Sequence, residues 1–502
     1  MSHFQYFCCM QEILDSIGLL YKNWIGSPAV SIDVLPQSGS ERRYFRLFGN
    51  NESVIGTYGA NHRENETFLY FSELFGKKKL PVPEIYKVSD NKMFYLQEDF
   101  GDVSLLTRLE SEGFSNTIYD LFKKSLAALA ELQVKGDEVV DYEKCLTNKE
   151  FGKQAIMADL LYFKYYFLDA LRRPYDKQKL IDDFEALSNY LTHTEFKYFL
   201  FRDFQSRNIM VTPSLGGGLG EIVHFIDYQG GMKGAPQYDV ASMLWQARAN
   251  LPDEWKKNLL TEYIDVLDDI SHAPVDKTIF KSQYNGYVLI RLLQVLGAYG
   301  FRGLFERKAQ FLTSIPLALN NLKWFFENQS IGIAVPEFQK ILGMCTGSDV
   351  IEKFKHLQAT PETPLLVSIN SFSYRKEIPA DNSGNGGGFV FDCRGIANPG
   401  RIEQFKTLHG RDKEVKDFIE QETRMPEFLN AIYNIVDINV EDYIRRGFES
   451  LVISFGCTGG QHRSVYAADA LTRHLKNKFK VKIELKHIVQ EEKNWQNSLP
   501  EK

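Results

Sequence analysis

The stretch Phe201-Arg202-Asp203-Phe204-Gln205-Ser206-Arg207-Asn208 sets a carboxylate and an amide five residues apart, and Phe225-Ile226-Asp227-Tyr228 brings a second carboxylate nineteen residues after Asn208. Phosphoryl transfer needs one carboxylate to receive the proton of an attacking hydroxyl, and an amide oxygen with a second carboxylate to hold magnesium on the nucleotide phosphates. Asp203 suits the first role; Asn208 and Asp227 suit the second. Between them Ile209-Met210-Val211 and Ile222-Val223-His224-Phe225-Ile226 flank a turn with Gly216, Gly217, Gly218 and Gly220. Two apolar runs around a glycine turn predict a β-hairpin. Such a hairpin would return Asp227 beside Asp203.

The spacing D-x-x-x-x-N, followed by a strand ending in Asp, is the signature of protein-kinase-like folds. With Gly234-Ala235-Pro236-Gln237-Tyr238-Asp239-Val240-Ala241-Ser242-Met243-Leu244, it resembles the aminoglycoside phosphotransferase-like family, and within it the AmgK-like kinases of N-acetylmuramate or N-acetylglucosamine. The resemblance covers roughly the first two thirds of the chain and implies an ATP- and Mg2+-dependent kinase of an amino sugar, acting at the anomeric hydroxyl in that group. The implied fold is α+β, bilobal and protein-kinase-like over residues 1–335, with a small lobe about 28–102 and a large lobe about 103–335. Phe201 departs from the family, which usually has His there, and Asp239 is expected to anchor the catalytic loop through backbone N-H groups.

Elements upstream must then supply the nucleotide site. Ile32 to Leu35 and Tyr44 to Leu47 read as strands around Gln37-Ser38-Gly39-Ser40-Glu41-Arg42-Arg43. A Gly/Ser turn between strands lays backbone N-H groups over phosphates, although an ordinary hairpin turn has the same composition. Ser38, Gly39, Ser40 and Arg43 are the nucleotide-binding candidates there, and Glu98 and Phe100 those of a hinge at Lys92 to Asp102. Glu98 and Asp99 could equally cap the following turn. The strand Ser53 to Tyr58 has no lysine, where many kinases carry one. Glu64 or Glu66, on the next helix, stands where that lysine's partner would be. From Ser104 to Lys197 the pattern is helical, and the aromatics around Tyr162 to Phe167 read as core packing more than sugar stacking.

A chain of 502 residues, 44% hydrophobic and 13% aromatic, is long enough for several well-filled domains. A formal charge of -6 argues against a surface built throughout to grip nucleic acid or anionic lipid. Cys8, Cys9, Cys145, Cys345, Cys393 and Cys457 form neither a disulfide framework nor C-x-x-C pairs, which favours a reducing compartment. Residues 1–20 lack a basic leader with a long apolar core, and no run is expected to span a bilayer. A cytoplasmic protein without a membrane partner is the expectation.

Residues 336–363 read as a linker. From 364 to 502 strands such as Leu365 to Asn370, Gly388 to Arg394 and Ser450 to Phe455 alternate with amphipathic helices, predicting a separate α/β domain. Its centre is Gly456-Cys457-Thr458-Gly459-Gly460-Gln461-His462-Arg463-Ser464, a glycine loop between a strand and a helix start, where N-H groups converge on a phosphate and Arg463 could clamp it. The C-x5-R spacing is also that of cysteine-dependent phosphatases, but Gly456 replaces their histidine and no acid loop is recognisable, so binding is preferred to turnover.

These residues, with Phe391-Asp392-Cys393-Arg394, Asn398-Pro399 and Gly410-Arg411-Asp412, resemble the RapZ C-terminal domain family. That resemblance implies a pocket for an aminosugar phosphate such as glucosamine-6-phosphate, lined by Arg394, Cys457, Thr458, Gly459, Gly460, His462, Arg463 and Ser464. It also brings RNA into view as a partner. Lys476, Lys478, Lys480, Lys482 and Lys486 are the basic run that would serve it, although lysines alternating with apolar residues more often protect an edge strand. A regulator that binds nucleotide, metabolite and RNA with little transfer is the alternative to a kinase.

Overall fold

A computed structural model of the chain describes residues 2–493 apart from 36–41, 51, 195, 214–219, 307–308, 313, 356, 382–383 and 385–387. Ser38, Gly39, Ser40 and the turn glycines Gly216, Gly217 and Gly218 lie outside the described residues. Contacts divide the chain into two units, one of Glu12–Glu306 with Ser314–Lys353, the other of Phe354–Lys502 with Met1–Gln11 and Arg307–Thr313. The stretch that reads as a linker holds helices Pro336–Cys345 and Ser348–Phe354, and Phe338, Ile341 and Leu342 bury one face of the first.

In the first unit, β1 (Ser31–Val34), β2 (Arg43–Phe48), β3 (Ser53–Tyr58), β4 (Ile85–Val88) and β5 (Phe94–Glu98) form an antiparallel sheet in the order β1-β2-β3-β5-β4. Period-two alternation explains β2: Phe45 and Leu47 are fully buried while Tyr44 and Arg46 point the other way. Helix His62–Lys77 starts where the Asn61 side chain accepts the Glu64 N-H, and buries Phe68, Phe71 and Phe75 as one stripe. Asp99 closes the turn after β5 by accepting from the Gly101 N-H at 2.9 Å, while Gly101 takes φ +74°.

The rest of this unit is mainly helical, interrupted by β6 (Tyr198–Leu200), β7 (Ile209–Pro213), β8 (Glu221–Phe225) and β9 (Met232–Gly234), which pair as β6-β9 and β7-β8. Helix Lys277–Tyr299 runs through the core, burying Tyr287, Leu289, Ile290, Leu293 and Leu296. The segment Lys277–Phe305 is long and apolar enough to cross a bilayer, which overturns the expectation that no such run exists. More than half of its most apolar stretch is buried inside the unit, as a core helix would be. Of the aromatics around Tyr162 to Phe167, Phe163 and Phe167 are fully buried, in keeping with core packing, Tyr162 and Tyr166 are half-buried, and Tyr165 is exposed.

The second unit has a fully parallel sheet of β10 (Leu366–Ser373), β11 (Gly388–Asp392), β12 (Ser450–Cys457) and β13 (Lys482–His487), ordered β11-β12-β10-β13. Val367, Ile369, Leu451, Ile453 and Phe455 join Leu471 and Leu475 of helix Arg463–Phe479 in the core. Because the strands are parallel, their carboxyl ends share one rim, where α/β sheets characteristically bind ligands. Ser373, Asp392 and Cys457 end their strands there. β13 is an edge strand with Lys482, Glu484 and Lys486 outward, and Lys478 is buried on Asp437 at 2.6 Å. The lysine run is therefore no continuous basic face.

Candidate functional sites

The β7-β8 hairpin pairs Ile209 with Phe225, and the Ile226 N-H donates to the Asn208 carbonyl at 3.1 Å. This ladder brings Asp227 to the catalytic loop: Asn208 Nδ2 donates to the Asp203 carbonyl at 3.0 Å and to Asp227 Oδ2 at 3.3 Å. The Asn208 amide thereby stands against the Asp227 carboxylate. An amide oxygen and a carboxylate suit magnesium, which keeps water and substrate phosphates in its remaining positions. Among the described residues no cluster of three or more His, Cys, Asp or Glu forms a cage for a metal.

The loop is held from beneath by Asp239. Its carboxylate accepts from the N-H groups of Phe201 at 2.7 Å and Arg202 at 2.9 Å, and from Gln133 Nε2 at 3.1 Å. Arg202 needs this support because its backbone is left-handed, φ +77°, with its guanidinium over Phe151 and Tyr238 and paired to Asp159 at 3.2 Å. Burial pushes the Asp239 carboxyl up to about 7, against those hydrogen bonds. Phe201 is buried and packs edge-on to Phe204, Phe225 and Tyr228, which explains why an aromatic serves where the family has His.

Asp203 projects into the open with its side chain about half exposed, and Arg291 Nη2 of helix Lys277–Tyr299 donates to its Oδ1 at 3.3 Å. Burial acts to raise the Asp203 carboxyl, but Arg291, Arg202 and Arg207 outweigh it and hold the carboxyl below its ordinary range. A carboxylate kept ionised and partly open to solvent can accept a hydroxyl proton. Sequence reasoning missed Arg291, which lies 88 residues from Asp203 and in no motif.

A cleft of about 320 Å³ lies between the small-lobe sheet and this loop, lined by Ile55, Glu98, Phe100, Asn208 and Asp227 among others. Glu98 and Phe100 thus both line this cleft. Arg43 does not: as the first residue of β2 it faces away from the side carrying Arg42, Tyr44 and Arg46, and Arg42 lines the cleft in its place. The one-residue offset follows from strand parity, which a loop of irregular length hides. Glu64 pairs with Arg42 of the cleft wall at 3.4 Å, whereas Glu66 pairs with Lys92 at the surface. Phe100 stacks on His224 at 3.9 Å, and His224 Nε2 meets Thr212 Oγ1 at 2.9 Å.

Burial pushes the His224 imidazole down to about 4. The unfolded chain therefore binds a proton near pH 6.5 that the folded chain refuses until about pH 4, so stability falls as pH drops between the two. Urea unfolding from pH 7 to 4 should show a shallower decline in His224→Gln; parallel curves for the two proteins would refute this origin.

In the second unit the rim loop begins at Cys457. Its Sγ accepts from the Gly460 N-H at 3.2 Å and meets Ser464 Oγ at 3.1 Å. Gly460 has φ +64°, and a Cβ there would lie 2.5 Å from Val489, so only glycine closes the loop this tightly. Gly456 is similarly confined by the rings of Tyr374 and Phe372, leaving no room for a histidine before Cys457. The Thr458 carbonyl accepts from Ser373 Oγ at 2.8 Å, while a Cβ on Gly459 would meet open space.

Two expected ligand groups are turned inward. Arg463 is buried and donates to the carbonyls of Ile396 at 2.6 Å and Arg394 at 3.2 Å, with Thr458 Oγ1 at 3.4 Å. The turn Cys393–Gly395 follows β11, next to β12, and delivers those carbonyls to the helix start. As placed, Arg463 ties the rim together and does not clamp an anion from solvent. His462 is buried with Nε2 bonded to the Phe405 carbonyl at 2.9 Å. Arg394 remains exposed, over the Tyr374 ring at 3.9 Å and paired with Asp392 at 2.7 Å. Gly459 and Arg394 are exposed on the rim, whereas the start of the helix, from His462 to Val465, is buried.

Residues 36–272 match the model of the phosphotransferase enzyme family, and residues 365–489 that of the RapZ C-terminal domain. A nucleotide-binding protein of Solibacter usitatus is 40% identical over 114 residues, 23% of this chain and 34% of that protein. Another from Fervidobacterium nodosum is 35% identical over 133 residues, 26% of this chain and 45% of that protein. The chain thus spans less than half the length of these curated relatives. Among solved structures, choline kinase from Cryptosporidium parvum is 14% identical, covering 66% of this chain and 99% of that one at a TM-score of 0.45. The chain joins a phosphotransferase-family domain of kinase-like fold, over residues 36–272, to a RapZ C-terminal domain over residues 365–489.

Proposed function

We propose that the first unit transfers the γ-phosphoryl group of ATP to a hydroxyl of an amino sugar of the N-acetylmuramate or N-acetylglucosamine type, the anomeric hydroxyl included. The observation that carries this reading is that a single hairpin sets Asp227 against Asn208 on one cleft and ties Asn208 to the backbone of Asp203. Asp203 accepts the proton of the acceptor hydroxyl as its oxygen bonds to the γ-phosphorus and the bond to the ADP oxygen breaks. Arg291 keeps that carboxylate ionised and aimed. Asn208 and Asp227 would hold magnesium, which when bound neutralises charge on the phosphates. The second unit, in this reading, binds an aminosugar phosphate such as glucosamine-6-phosphate at its rim.

The full chain incubated with γ-labelled ATP and a panel of N-acetylmuramate, N-acetylglucosamine, glucosamine, choline and an aminoglycoside tests it, with the product identified by mass. A sugar heavier by one phosphoryl group is expected. Transfer to choline or the aminoglycoside alone would refute the acceptor class. ATP bound with no transfer to any acceptor would favour a nucleotide-binding regulator. Equilibrium dialysis with glucosamine-6-phosphate, expected to show saturable binding lost on truncation at Phe354, tests the second unit.

A further inference from the structure

Kinase-like sites hold the nucleotide α- and β-phosphates with a small-lobe cation, ordinarily a lysine on the third strand paired with a glutamate on the following helix. Here β3 presents Ile55 and Thr57 on the face that carries the cleft, and neither is charged. Two small-lobe cations do line the cleft. Arg46 is engaged at the hinge, with Nε 2.7 Å from Asp99 and Nη1 2.9 Å from Asp102. Arg42 is the other.

Arg42 stands just before β2, on the side of the strand that carries Tyr44, and Tyr44 is registered directly across from Thr57. It is only 3% exposed, so its guanidinium has left bulk water for the inner wall of the cleft. Its Nε lies 3.4 Å from Glu64 Oε1, and its guanidinium sits 5.3 Å from the centroid of the Phe68 ring. Glu64 is fixed in the first turn of helix His62–Lys77 by the Asn61 cap. The same Glu64 oxygen accepts from Gln229 Nε2 at 3.3 Å, and that nitrogen also donates to Asp227 Oδ1 at 2.9 Å. A continuous polar chain therefore runs from Arg42 through Glu64 and Gln229 to Asp227 and Asn208.

We propose that Arg42 anchors the α- and β-phosphates of the bound nucleotide and that Glu64 orients it. The ion pair of the missing lysine is thereby relocated from the third strand to an arginine at the foot of the second. The proposal rests on the nucleotide-dependent reading above but not on the identity of the acceptor. An arginine brings a rigid fork of donors that suits two phosphate oxygens, and Gln229 couples its partner to the carboxylate beside the γ-phosphate.

Calorimetric titration of the full chain with ATP plus magnesium, and separately with adenosine, tests the assignment in the wild type, Arg42→Met and Arg42→Lys. Loss of a charge-assisted contact should weaken ATP binding in Arg42→Met about 10- to 100-fold, with adenosine affinity held within about twofold. Arg42→Lys should recover part of the loss. A folded Arg42→Met that binds ATP as tightly as the wild type overturns the proposal and leaves the transfer reading standing; a wild type that binds no ATP overturns both. Should Arg42→Met not fold, 15N-arginine spectra of the wild type, assigned through Arg42→Lys, supply the answer. The Arg42 Nε-H resonance is expected to move with ATP and not with adenosine, and a resonance unmoved by ATP overturns the proposal.

Discussion

Asp203→Asn is expected to lower kcat roughly 100- to 10,000-fold, the contribution typical of a positioned general base, while ATP binding stays within a few-fold of the wild type. The substitution keeps size and shape and removes the charge that receives the proton. It spares the Asn208–Asp227 geometry, because Asn208 donates to the backbone carbonyl of residue 203 and not to its side chain. Arg291, the charged side chain hydrogen-bonded to Asp203, retains Gln294 at 2.8 Å and Tyr238 at 3.5 Å, so the fold should survive. Single-turnover transfer measured beside ATP titration separates the two effects. Transfer that persists at the wild-type rate in Asp203→Asn would remove Asp203 from the role of base.

What the chain disclosed in advance is what lies close together along it. Asp203, Asn208 and Asp227 are joined by one hairpin, so their meeting follows from local alternation and a glycine turn. The kinase-like and RapZ-type domains were readable for the same reason, since their motifs sit at strand ends and helix starts. Arg42 was one position from the arginine that reading favoured, because the phase of β2 depends on pairing with β3 and not on its own sequence. Glu64 was one of two candidates that the helix after β3 offered, but Arg291 and Gln229 reach their places only through tertiary packing of separate helices and strands. The second unit taught the converse: Arg463 has the spacing of an anion clamp, but carbonyls 394 and 396 arrive from another segment and take its donors.

Asp239→Ala should be the most damaging change to the fold of the first unit, at about 3–5 kcal/mol, because it strands several buried donors at once. The N-H groups of Phe201 and Arg202 lose their acceptor, the Gln133 amide is left with the Pro236 carbonyl at 3.4 Å, and Arg202 loses what holds its left-handed backbone. Asp239→Asn keeps one acceptor oxygen, and its cost depends on pH with a sign fixed by the raised carboxyl. The folded Asp239 holds its proton up to about pH 7, whereas the unfolded chain releases it near pH 4. The folded state thus binds more protons between those values, and wild-type stability from this group falls as pH rises through the window. Asparagine has no proton to lose and escapes that decline. The penalty of Asp239→Asn should therefore be about 2–3 kcal/mol smaller at pH 8 than at pH 5. Chemical denaturation of both proteins at the two pH values measures it directly, since His224 and every other titrating group are common to both and cancel in the difference. A penalty that is the same at pH 5 and pH 8 would mean that Asp239 is ionised throughout. In that case the hydrogen bonds from Phe201, Arg202 and Gln133 outweigh its burial, and the catalytic loop rests on a full buried charge.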